Sequence, residues 1–131
     1  LAFHQATAVA QRFVQAFSAA DLDAMGQLLA ADVTAHITNA DGEIDEVVGR
    51  EPYLRRIEAM QLPAVRFSIE LTQPPVAVGP DRALIMVEVA ARKEDRSLRN
   101  YAAHLLRISD GKIAEWWMVD AKPAESARFW S

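Results

Sequence analysis

Apolar side chains recur at helical spacing early in the chain and at strand spacing through its second half. In residues 4–19, Val9, Phe13, Ala16 and Phe17 fall on one face beside Ala6 and Ala10, which predicts an amphipathic helix. Ser18 to Asp21 ends it, and Asp21 caps a shorter helix through Leu22, Met25, Leu28 and Leu29. Asp32 to Thr38 alternates Val33, Ala35 and Ile37 with Thr34, His36 and Thr38, the period of a strand. A turn follows at Asn39 to Gly42. Gly49-Arg50-Glu51-Pro52 opens a third helix that runs to about Met60, since proline fits a first helical turn.

From Val65 the pattern is β. Val65, Phe67, Ile69 and Leu71 alternate with polar residues to Thr72, and Pro74-Pro75 demands a bend or an edge. Val76–Val78 resumes pairing, Gly79-Pro80-Asp81 turns the chain, and Arg82–Arg92 is a further strand. Lys93–Ser97 reads as a charged, solvated loop, and Lys122-Pro123 begins an irregular tail. Helices first and consecutive strands afterwards predict an α+β fold, with helices packed on one face of a curved antiparallel or mixed sheet.

The segment from Asn100 to Asp120 is a hairpin reversing at Asp110-Gly111. A two-residue loop would oppose His104 to Trp117. A three-residue loop, Ser109-Asp110-Gly111, opposes it to Trp116, and this register is preferred on loop chemistry. One face then holds Asn100, Ala102, His104, Leu106, Ala114, Trp116, Met118 and Asp120. The other holds Tyr101, Ala103, Leu105, Arg107, Ile113, Glu115, Trp117 and Val119. Both faces are largely apolar, and a sheet needs one of them for its own core. The second therefore predicts a homodimer through Tyr101, Ala103, Leu105, Trp117 and Val119.

Composition narrows the function. The 131 residues fit one domain over 1–131, and a net charge of −4 without a basic stretch argues against nucleic acid and anionic membrane as partners. With no cysteine there is no disulfide or thiolate site. No apolar run is long enough to span a membrane, and no signal peptide is visible, so a cytoplasmic location is expected, although a start at Leu1 leaves room for a trimmed leader. His4, His36 and His104 lack metal-ligand spacing, so neither a metal nor another cofactor is expected.

The hairpin, together with RFVQAFSAADLDAMGQLLAADVTAHI near the start, resembles the nuclear transport factor 2-like superfamily, and within it the SnoaL-like and ketosteroid-isomerase-like branch. The resemblance implies a conical sheet wrapped around three N-terminal helices, with an internal apolar pocket. It also implies where isomerase groups would fall. The tyrosine that donates to the enolate oxygen falls at Phe13, the carboxylate base at Ile37, and the protonated aspartate at His104. Phe13 and Ile37 have no such chemistry, so steroid double-bond isomerisation by those groups is not expected.

His104 is the leading catalytic candidate, expected to be neutral among apolar neighbours, with a core histidine satisfied locally as the competing reading. Asp120 is the second. In the preferred register it lies opposite Asn100 and about 13 Å along the strand from the residue facing His104, too far for a direct bond. Phe13, Phe17, Ile37, Tyr53, Leu54, Ile57, Asn100, Trp116 and Met118 are the expected pocket walls. His36 is expected to point away from the cavity as a structural residue, and His4 into solvent at a helix start. The Asp-Arg-Asp relay of an epoxide hydrolase does not fall on one face. These residues suit a cofactor-independent isomerase, cyclase or dehydratase acting on an apolar, ring-containing molecule. The alternatives are a non-catalytic small-molecule-binding domain and a dimeric interaction module.

Overall fold

The computed structural model describes residues 2–131 and the side chains of residues 5–131. The expectation for the His4 side chain lies outside the described residues. Helix α1 (Ala2–Ser18) buries Ala6, Val9, Ala10, Phe13, Val14 and Phe17, the stripe that its spacing dictates. It stops at Ala20, which takes a left-handed φ of 55°, and the Asp21 amide closes the end by donating to the Ala16 carbonyl. Asp21 then caps α2 (Leu22–Leu28), its carboxylate accepting from the Ala24 amide at 3.0 Å.

Seven strands form one mixed, curved sheet that does not close, in the order β2-β1-β7-β6-β5-β3, with β4 also paired to β5. They are β1 (Leu29–Thr38), β2 (Ile44–Val48), β3 (Ser68–Leu71), β4 (Val76–Val78), β5 (Arg82–Lys93), β6 (Arg96–Ser109) and β7 (Lys112–Asp120). β1 and β7 run parallel and all other pairs are antiparallel. Helix α3 (Arg50–Glu58) follows β2, and α4 (Pro123–Trp130) follows β7. The core lies between α1 and the concave side of the sheet, around Phe13, Met25, Leu29, Leu106 and Ile113. Among the described residues no helix is long and apolar enough to cross a membrane.

Several expectations need correction. The residues before α3 form the edge strand β2, whose Ile44, Glu46 and Val48 are exposed. The expected strand from Val65 is shorter: a 3₁₀ turn at Leu62–Val65 and a left-handed Arg66 precede β3. The charged loop at Lys93–Ser97 shrinks to a two-residue reversal at Glu94-Asp95, because Lys93 pairs with Arg96 and β6 begins there. The tail is not irregular. Proline at the first turn starts α4, and Phe129 buries against Val65, Ala91 and Leu98.

The β6–β7 hairpin also departs from the preferred register. Ser109 pairs with Lys112 across a two-residue loop, with Asp110 (φ 53°) and Gly111 (φ 76°) both left-handed, as a tight reversal requires. A bulge then inserts Ala114, so Ile108 pairs with Ile113 but Arg107 pairs with Glu115. Ile113 consequently turns inward and is fully buried, against the sequence expectation. Beyond the bulge the face assignments hold, because the extra residue restores the parity that a three-residue loop would have given. His104 opposes Met118, not Trp116, and Asp120 opposes Ala102, not Asn100.

Replacing Gly111 by alanine should cost roughly 1–2 kcal/mol, since the left-handed backbone is unfavourable for a side chain with Cβ. Space is not the obstacle: the new Cβ would meet only Gln5 Nε2, at 3.5 Å. A urea midpoint unchanged from the parent would contradict the assigned turn.

Candidate active site

The concave face of the sheet and the inner side of α3 enclose a cavity of about 300 Å³, open on one side. Its walls are mostly apolar. Ile37 comes from β1, Phe17 from α1, Tyr53 and Ile57 from α3, and Trp116 and Met118 from β7. His104, Asn100 and Asp120 also line it. Two expected walls are elsewhere. Phe13 sits in the core behind the cavity, its ring 5.8 Å from that of Trp116 and 6.5 Å from that of Tyr53. Leu54 faces the opposite side of α3, where it packs beside Gly26 and lines a polar groove. His36 lies on the outer face, as its alternation with Ile37 implies. It stacks on Trp117 and bonds to Glu115 at 2.9 Å.

The floor is built around one hydrogen bond. Trp116 and His104 are diagonal neighbours on β7 and β6, and their ring planes are nearly parallel, 12° apart, with centroids 5.3 Å apart. The Trp116 indole Nε1–H donates to His104 Nδ1 at 2.7 Å. An indole nitrogen can only donate, so Nδ1 must carry a lone pair. In a neutral ring the proton is then on Nε2, which has no partner among the described residues, on a side chain that lines the cavity. Burial lowers the imidazole pKa from 6.5 to about 4, with the Asp120 carboxylate pulling weakly the other way. At neutral pH His104 is therefore an uncharged donor.

Tyr53 supplies a second donor. Its side chain is fully buried, and its hydroxyl has no hydrogen-bond partner. Burial pushes the phenol pKa well above 10, with the Arg56 guanidinium a smaller opposing influence, so the hydroxyl keeps its proton. The ring packs edge-on against Trp116 at 4.8 Å. Its ring lies 6.5 Å from that of Phe13 on α1.

Asp120 lies two residues past Met118, about 7 Å along the strand from the residue facing His104 and nearer than expected. No direct His104–Asp120 bond forms. Asp120 Oδ1 accepts from Asn100 Nδ2 at 2.6 Å and from the Lys122 amide at 2.7 Å, and Oδ2 accepts from Ser126 Oγ at 2.8 Å. Oδ2 keeps one lone pair. Asn100 also donates to Ser126 Oγ at 2.8 Å, which ties α4 to the sheet. Arg56, Ser126 and Trp130 line the cavity and were not foreseen. Ser126 and Trp130 were hidden by reading the tail as irregular. Arg56 was within reach, because it follows Tyr53 by three residues on the same helix. Among the described residues no cluster of three or more His, Asp or Glu could hold a metal ion.

With this geometry established, comparison places the chain. Residues 10–116 match the family model for the SnoaL-like domain. The chain belongs to that family. The structure of Bal32a from a soil-derived mobile gene cassette is similar over the whole of both chains, with a TM-score of 0.87 and 14% identity. A protein of unknown function with a cystatin-like fold from Xanthomonas campestris matches at 24% identity and a TM-score of 0.79, over 94% of this chain and 95% of its own. IdmH from Streptomyces antibioticus, described as a putative polyketide cyclase, matches at 18% identity and a TM-score of 0.74, over 96% and 99%. At these identities the likeness speaks for the SnoaL-like fold alone. No curated protein sequence matches the chain.

The depressed imidazole pKa carries a stability consequence. The unfolded chain binds the His104 proton near pH 6.5 and the folded chain only near pH 4, so between these values folding expels a proton. The stabilising contribution of neutral His104 is complete above pH 6.5 and is lost as pH falls toward 4, by on the order of 3 kcal/mol. Chemical denaturation at several pH values should show the wild-type advantage over His104→Gln shrinking across that window. A constant difference would mean that the ring is not held neutral.

Proposed function

We propose that this SnoaL-like protein is a cofactor-independent enzyme that moves a proton beside a carbonyl of an apolar, ring-containing small molecule. The carrying observation is the pair of unpartnered donors on two residues that line the cavity, His104 Nε2–H and Tyr53 O–H. An unpaired buried hydroxyl costs about 1–3 kcal/mol, which a ligand oxygen would recover. Two neutral donors in a dry pocket stabilise an oxygen best as it gains negative charge. His104 is not the base in this scheme, because one nitrogen already holds a proton and the other holds the indole. The base is Asp120, through the remaining Oδ2 lone pair. It takes the proton from the carbon next to the carbonyl, the carbonyl oxygen becomes an enolate oxygen held by His104 and Tyr53, and the proton returns to the same or a conjugated carbon.

A second reading keeps the cavity but not the turnover. The three hydrogen bonds on Asp120 favour it, since they occupy most of the carboxylate. A pure interaction module fits less well, because the cavity is not filled by the protein's own side chains. The two leading readings separate on α-proton exchange. In D2O with 2-tetralone, the wild type should accelerate deuterium incorporation read by mass spectrometry. His104→Ala and Asp120→Asn should each lower the rate about 100-fold, and Tyr53→Phe about tenfold. Cyclic ketones that bind without exchange would leave the binding-domain reading standing and remove the enzyme.

We also propose that the protein forms a homodimer through the outer sheet face. Support comes from the exposure of Tyr101 and Val119 there, at 43% and 61%, alongside Ala103, Leu105 and Trp117. Sedimentation equilibrium should give twice the 14.5 kDa chain mass, reverting to a single chain mass for Val119→Lys. A monomeric wild type at high micromolar concentration would refute the dimer.

A further inference from the structure

Arg56 is the one Lys or Arg side chain among the described residues that line the cavity. It stands three residues beyond Tyr53 on α3, so both project from one face of the helix, displaced by roughly 5 Å along its axis. Tyr53 is sealed in the floor, whereas the Arg56 side chain is 40% exposed, which places its guanidinium at the rim. Its ion pair uses one of its five N–H donors: Nη2 meets Asp45 Oδ2 at 3.4 Å, between two side chains that are each about two-fifths exposed. Asp45 is independently held by Asn39 Nδ2 at 3.1 Å, so it does not need the arginine to stay in place. Asp120, the carboxylate that lines the cavity, belongs to β7 and is already engaged by three donors.

Resting on the reading of this cavity as a small-molecule site, we propose that Arg56 receives an anionic group of the ligand, and that the ligand is a ring-containing carboxylate. Its apolar frame lies against Ile57, Trp116 and Met118, its reacting oxygen faces His104 and Tyr53, and its carboxylate sits at the mouth on the Arg56 fork. A planar monoanion suits this place better than a phosphate. One guanidinium that already shares its charge with Asp45 tolerates a monoanion better than a dianion, and its free edge matches carboxylate geometry. The assignment accounts for a cation placed at the rim of a cavity whose walls are otherwise mostly apolar.

The test is isothermal titration calorimetry at low salt with 2-naphthylacetate and its neutral isostere 2-naphthylacetamide. Wild type should bind the acid about tenfold more tightly than the amide. Arg56→Gln should abolish that preference by weakening the acid alone. Arg56→Lys should keep part of it, and Asp45→Asn, which frees the guanidinium, should enlarge it. Equal affinity of the two compounds for wild type, or a preference that survives Arg56→Gln, overturns the anion anchor while leaving the cavity reading intact. An equal loss for both compounds in Arg56→Gln assigns Arg56 a structural role and also overturns it. Binding of neither compound overturns the cavity reading and the anchor together.

Discussion

The chemistry available to this molecule depends on the bond from the Trp116 indole to His104 Nδ1. An indole N–H has no acceptor function, so it dictates which imidazole nitrogen is bare. Burial removes the charge, and the two constraints together leave one tautomer with its proton on Nε2. Protonating the ring would set two N–H groups against each other and place a charge among apolar groups that the Asp120 carboxylate only partly compensates. The bond in turn depends on the bulge at Ala114. Without that extra residue the two-residue loop would oppose His104 to Trp117, and the imidazole would share a face with the outer indole.

A stiff aromatic frame holds the pair. Phe13, Tyr53 and Trp116 meet with ring centroids between 4.8 and 6.5 Å, and the His104 ring lies beside Trp116 with its plane nearly parallel. Such contacts fix ring orientations beyond what area burial alone would do. They hold the Tyr53 ring in place even though no group among the described residues bonds to its hydroxyl. Phe13 occupies the position where the wider superfamily resemblance implies a tyrosine, and it serves here as backing for the other two rings.

What could be read from the sequence followed period and parity. Alternation put His104, Trp116, Met118 and Asp120 on one face, and that grouping depends only on whether the register shift is even or odd. The register itself is set by backbone dihedrals at Asp110 and Gly111 and by the bulge, which no side-chain pattern announces. Hence the opposing partner of His104 was misassigned by two residues and Ile113 was put on the wrong face. The edge strand β2 was illegible for a different reason: an edge needs one paired side, and its charged residues look like a loop. Helix α4 is short and follows Lys122-Pro123, so its proline read as a break when it was a start. Missing α4 concealed Ser126 and Trp130, and with them the polar group that holds Asp120.

The position of Asp120 joins structure and chemistry more tightly than either alone would require. Its carboxylate, Asn100 and Ser126 form a closed polar knot inside an apolar wall, and the two bonds to Ser126 help to dock α4. A knot that only fastened a helix could be replaced by apolar packing of the kind Phe129 already provides nearby. Ionic and amide groups in that place have to be fully hydrogen-bonded to be tolerated, and three donors nearly achieve this. They leave one lone pair on Oδ2 of a residue that lines the same cavity as His104 and Tyr53. Acceptor and donors are thereby held on neighbouring strands and a facing helix, in fixed orientation, before any ligand arrives. Orientation established by folding is free energy that binding does not have to supply, and the proposed action of two weak neutral donors on a carbonyl rests on it.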